Sequence, residues 1–179
     1  MPEKEINILP IVYYPDKVLR QKSEPVPEIT EEIKSLVRKM EITMFANHGI
    51  GLSAIQVGTP LRLFIIAPQI NSQKATDPVI TFINPEIIPS EETTRMEEGC
   101  LSLPGSSAYV TRPSKVKVKA LDIKGEKFEV EYDSYMARCV LHEYDHLDGK
   151  LYLDCVKRMK REQIQRKVKR TRKYMKRLG

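Results

Sequence analysis

The chain has 179 residues, 41% of them hydrophobic and 30% charged, with a formal net charge of +6. This is one domain's worth of chain with enough apolar material for a real core. No apolar run nears eighteen residues and residues 1–16 carry no charged-then-apolar leader, so neither a membrane span nor a secretory signal is expected. Cys100, Cys139 and Cys155 are a sparse, odd set, which argues against a disulfide framework and for a reducing compartment, the cytoplasm.

In chain order, residues 16–21 read as a short turn or helix and 23–27 as a loop. Thr30 is placed to cap a helix whose Ile33, Val37, Met40 and Met44 form an apolar stripe that stops near Gly49. Residues 49–56 form a glycine-rich loop, where missing side chains let backbone come close to a ligand. Residues 61–67 and 79–84 read as buried strands. Residues 115–121 and 127–132 alternate apolar and polar side chains as sheet strands do, joined by a turn at Lys124-Gly125. Asp133 or Ser134 caps a helix that Gly149 ends. Runs of strands with segregated helices give an α+β fold, with antiparallel or mixed sheets around that helix. Residues 1–156 are read as the catalytic body and 157–179 as a basic C-terminal helix of the same domain, with no internal repeat.

The helix after Asp133 carries His142-Glu143-Tyr144-Asp145-His146. Residues four apart on a helix share a face, so His142 and His146 can hold one metal ion, and the carboxylate of Glu143 can handle the proton of a water acidified by it. A tetrahedral site then lacks one protein ligand. No His follows His146, and the Glu beyond it, Glu162, lies in a basic tail. Cys100, in Glu98-Gly99-Cys100-Leu101-Ser102, is the better candidate, because thiolate binds divalent iron or zinc strongly. A packed core thiol at Cys100 and a peptidase using Glu162 are the competing readings. Cys139, three residues before His142, either lines the pocket or packs as a core thiol.

Three motifs occur in order: residues 49–56 (Gly-Ile-Gly-Leu-Ser-Ala-Ile-Gln), 98–102, and 141–146 (Leu-His-Glu-Tyr-Asp-His). Together they resemble the peptide deformylases, and their spacing covers most of residues 8–155. Ser53 stands where that family commonly has Ala, a change expected to be silent. Leu141 stands where the third motif usually begins with Gln, so the polar contact of that Gln is absent. The resemblance implies removal of the formyl group from the N-terminal N-formylmethionine of new polypeptides. It implies Cys100, His142 and His146 as ligands of one divalent ion per chain, usually Fe(II), with Zn, Ni or Co able to substitute. It further implies Glu143 as the base, with the Gln56 amide and the Leu101 N–H as oxyanion donors. Ile50 and Gly51 are then the backbone that receives the substrate as an added strand; Cys139 is a further pocket residue.

Charge is strongly uneven. From Lys157 onward there are twelve Lys/Arg and one Glu, a balance of +11, against −5 for the preceding residues. Ile164, Val168, Thr171 and Met175 recur at helical spacing, leaving basic residues on the other faces. A solvated charge run, a membrane-surface helix, a generic nucleic-acid tail and a helix docking on ribosomal RNA all fit this pattern. Bacterial deformylases dock on the ribosome through a basic C-terminal helix, and that resemblance favours ribosomal RNA over a membrane or DNA. Removing residues 163–179 is then expected to weaken ribosome binding and spare hydrolysis, unless the apolar stripe packs on the body.

Overall fold

The computed structural model describes residues 8–68 and 78–178. The elements run α1 (Glu31–Ala46), β1 (Gly51–Ser53), β2 (Leu63–Ile66), β3 (Ile80–Pro89), β4 (Thr93–Gly99), β5 (Ser107–Pro113), β6 (Lys115–Leu121), β7 (Lys127–Asp133), α2 (Ser134–Leu147) and α3 (Arg158–Leu178), with short 3-10 turns between some of them. A five-stranded sheet has the order β1-β2-β3-β6-β7, and β4 and β5 form a separate two-stranded sheet. The named strands pair antiparallel throughout. This is the α+β architecture expected from the sequence, with α2 packed against β1, β2, β6 and β7.

All four residues of β2 are buried, because successive side chains of a strand point to opposite faces and here both faces are covered. Leu63 and Ile65 enter a core with Val37, Met40 and Met44 of α1. Phe64 and Ile66 enter a second core with Ala137, Val140 and Leu147 of α2. Leu141 joins that second core, so this position carries packing where a polar contact was the alternative. The sheet is thereby clamped between the stripe of α1 and the back of α2, and the opposite face of α2 is left to carry chemistry.

The hairpin at residues 122–126 is held by the Asp122 carboxylate, which accepts from the N–H groups of Lys124 and Glu126. Gly125 sits there at φ +84°, a conformation that glycine adopts without penalty. Two local expectations differ from the structure. Residues 51–53, expected as loop, form an edge strand paired to β2. Thr30 and Asp133 occupy the N-cap positions of α1 and α2, but their side chains make no capping hydrogen bond.

The basic C-terminal helix is docked on the body. Ile164 and Val168 are 2% and 1% exposed, packed with Leu103, Val110 and Tyr152. Arg172 donates to the carbonyl of Tyr14, and Gln165 to its hydroxyl. Among the described residues no helix is long and apolar enough to cross a membrane.

Candidate metal centre

Helical spacing puts His142 and His146 on one face of α2, their ring centroids 5.1 Å apart. Cys100 follows the last residue of β4, where the chain turns sharply as Leu103 N–H donates to Cys100 O. That turn brings its Sγ within 3.4 Å of His146 Nε2. One ligand atom from each of Cys100, His142 and His146 lies within 4.8 Å of the others. Glu162, the competing third ligand, is instead paired with Arg158 on the exposed side of α3.

The residues present fit a divalent transition-metal ion. One thiol and two imidazoles are the donor types such ions take. His142 is pre-oriented for the task, since its Nδ1 is held by Glu98 Oε2 at 2.9 Å, leaving Nε2 for the cluster. His146 is fully enclosed, and burial, helped by the charge of His142, holds its imidazole well below its ordinary pKa and so in the neutral, ligating form. For His142 burial also opposes protonation, but its contacts with Cys100 and Glu98 outweigh that and raise its pKa.

Glu98 is the hub behind the ligands. Its carboxylate accepts from Arg112 Nε (2.6 Å) and Nη2 (3.0 Å), from Arg138 Nη1 (2.9 Å) and from His142. Arg112 also bridges to Asp145 at 2.6 Å. Burial pushes the Glu98 carboxyl up, yet the hydrogen bonds from His142 and Arg112 win and hold it far below the usual carboxylate range. Glu98→Gln is expected to cost about 3–5 kcal/mol, because two buried arginines lose their shared counter-charge. A carboxyl depressed on folding stabilises the protein fully above its unfolded pKa of about 4.3, and that contribution fades as pH falls through it toward the folded value. The gap in melting temperature between wild type and Glu98→Gln is therefore expected to be full at neutral pH and to narrow below about pH 4.

Glu143 is buried against β1. Its Oε2 accepts from Ser53 Oγ at 2.7 Å, and a Cβ placed on Gly51 would stand only 2.6 Å from its Oε1. Burial raises its pKa, opposed by the charge of His142 and the Ser53 hydrogen bond. Ser53, expected to be a silent replacement, thus places its hydroxyl directly against this carboxylate. Gln56 is 1% exposed, and its Oε1 accepts from Ser53 N–H at 2.9 Å. Its Nε2 is therefore turned toward Cys100 Sγ (3.4 Å) and Ser102 Oγ (3.2 Å).

A cavity of about 470 Å³ opens over this cluster, within the size range of small-ligand sites. Gln56, Cys100, His142 and Glu143 line it, as do Leu101, Ile50, Gly51 and Cys139. His146 lies deeper and does not reach the lining. Burial pushes the Cys139 thiol up to about 12, so it stays protonated and serves as wall rather than ligand. β1 is an edge strand, with Ile50 O already committed to Ala67 N–H. Tyr13, Tyr135 and Met175 of α3 also line the cavity and carry no motif that points to them. Glu98 stands inside the second of the three motifs, but its partner arginines carry no local signal.

The sequence profile of the polypeptide deformylase family matches residues 8–162. A peptide deformylase of Acinetobacter baumannii is 42% identical over 164 residues, 91% of each chain. One from Buchnera aphidicola is 39% identical over 174 residues, 97% of this chain and 98% of that protein. Among solved structures, a peptide deformylase from Legionella pneumophila superposes with a TM-score of 0.89 at 38% identity, covering 95% of this chain and 98% of that one. The Ehrlichia chaffeensis enzyme in complex with actinonin gives 0.85 at 37% identity, covering 92% and 98%.

Proposed function

This chain belongs to the polypeptide deformylase family, and from that premise we propose how its residues divide the work. It is a hydrolase that removes the formyl group from the N-terminal formylmethionine of new polypeptides, releasing formate. Cys100, His142 and His146 hold one divalent ion, with iron(II) as the resident metal and zinc, nickel or cobalt as substitutes. When bound, such an ion polarises the formyl oxygen and makes hydroxide available near neutral pH.

Glu143 takes the proton of the attacking water and returns it to the leaving amine nitrogen. Gln56 Nε2 and the Leu101 N–H stabilise the oxyanion, a single donor of this kind being worth about 3–4 kcal/mol of barrier. Ile50 and Gly51 receive the peptide along the edge of β1, and Cys139 forms part of the pocket wall. The observation that carries this reading is the convergence of Cys100, His142, Glu143 and the fixed amide of Gln56 at one cavity, with His146 beneath it in reach of Cys100. Incubation with formyl-Met peptides should release formate, and unformylated peptides should stay uncleaved. Cleavage of internal peptide bonds without formate release would contradict it.

The catalytic body over residues 1–156 is supplemented by α3 as a docking helix for ribosomal RNA, and we place the protein in the cytoplasm, where nascent chains emerge. Lys167, Lys169, Arg170 and Lys173 line the exposed side of α3, a surface suited to phosphates. Reversing these four charges should weaken ribosome binding and flatten its salt dependence by roughly one unit of slope for each phosphate no longer engaged. Hydrolysis of a short formyl-Met peptide should be unchanged, since none of these side chains lines the cavity. Truncation at Gln163 is a poorer test, because it strips Ile164 and Val168 from their packing with Leu103, Val110 and Tyr152 and is expected to lower the melting temperature. Ribosome binding equal for the two proteins at all salt concentrations would make the charge a solvated surface only.

A further inference from the structure

We infer that Ser53 is a positioning residue for the reaction: its hydroxyl fixes the carboxylate of Glu143 in the orientation from which that group accepts and returns a proton. Ser53 is wholly buried and is absent from the cavity lining, so it acts through Glu143 and not on substrate. Its Oγ stands 2.7 Å from Glu143 Oε2 and 3.0 Å from the same residue's main-chain carbonyl, so among the described residues both acceptors of the hydroxyl belong to Glu143. A hydroxyl donating to a buried carboxylate makes a short, charge-assisted hydrogen bond.

The need for such a donor follows from the side chain. The terminal torsion of Glu is soft and roughly two-fold, so packing around the methylenes alone does not fix the plane of the carboxylate. Ser53 pins Oε2. On the other side the backbone of β1 closes in, since a Cβ built on Gly51 would lie 2.6 Å from Oε1, 2.9 Å from Cγ and 3.0 Å from Cδ. Residues two apart on a strand share a face, so Gly51 supplies a flat wall and Ser53 a donor on the same side of β1. This leaves Oε1, beside the cavity-lining Gly51, as the oxygen that handles the proton.

The inference rests on Glu143 as the proton carrier, so the test is a double-mutant cycle on metal-loaded protein with a formyl-Met tripeptide. Metal content and melting temperature are measured for each variant. Ser53→Ala should lower kcat by about five- to tenfold with KM within about twofold, and with metal content unchanged. In the Glu143→Gln background the same change should alter kcat by less than about 1.5-fold, because there is no base left to position. Ser53→Thr, which keeps the hydroxyl, should hold kcat within about twofold of wild type. Any of three results overturns the inference: Ser53→Ala as fast as wild type, an equal loss in both backgrounds, or a well-folded Thr variant as slow as the Ala variant. A near wild-type rate for Glu143→Gln alone would instead locate the fault in the base assignment.

Discussion

Cys100→Ala is expected to lose its metal ion and its activity together. The proposed site has three protein ligands, and removing one weakens binding and leaves imidazole as the only protein donor of that set. Lewis-acid stabilisation of the transition state is worth several kcal/mol, so formate release should fall by about 10³-fold or more. His142→Ala and His146→Ala should behave alike, and elemental analysis of each purified variant reports the loss. His48, the other histidine of the chain, follows α1 and lines the same cavity, but among the described residues it does not belong to the Cys100-His142-His146 cluster. Stoichiometric metal in Cys100→Ala would sink the ligand assignment.

Glu143→Gln separates proton transfer from binding. The amide keeps the volume and can still accept from Ser53 through its oxygen, so metal should remain while kcat drops by about 10²-fold or more. The pH profile adds a sign. A base must be ionised to act, and burial lifts this carboxyl above its ordinary range, so the wild-type rate should climb with pH through that raised pKa. The Gln variant should lack this limb. Stability moves the other way. A carboxyl whose folded pKa is raised binds its proton more tightly in the folded state, so stability falls as pH rises through that window. Metal-free Glu143→Gln should accordingly melt above metal-free wild type at neutral pH, the stability cost of keeping a reactive carboxylate in the site.

The candidate ligand cluster is legible in the sequence because its signal is local: two histidines one helical turn apart, and a thiol in a tight Gly-Cys turn. The scaffold around them is not. Glu98 meets Arg112 and Arg138 across 14 and 40 residues of sequence, and no periodicity announces such a meeting. β4 reads Thr-Thr-Arg-Met-Glu-Glu-Gly, with one large apolar side chain, and becomes a strand through its full ladder with β5. β1 reads as loop because glycine weakens a strand on its own; pairing with buried β2 overrides that. The charge of α3 taken alone fits a solvated helix, but Ile164 and Val168 are buried against the body, Thr171 lies against Gly105, and Gln165 and Arg172 bond to Tyr14. Ser53 looks like a small-for-small exchange, since volume says nothing about a hydroxyl facing a carboxylate.

X-ray absorption at the metal edge of the iron- or zinc-loaded protein tests the centre most directly. One sulfur and two nitrogen scatterers are expected, at about 2.3 Å and about 2.0–2.1 Å when the metal is zinc, with the sulfur shell gone from any residual metal in Cys100→Ala. A shell of nitrogen and oxygen only in the wild-type protein would contradict the Cys100-His142-His146 centre.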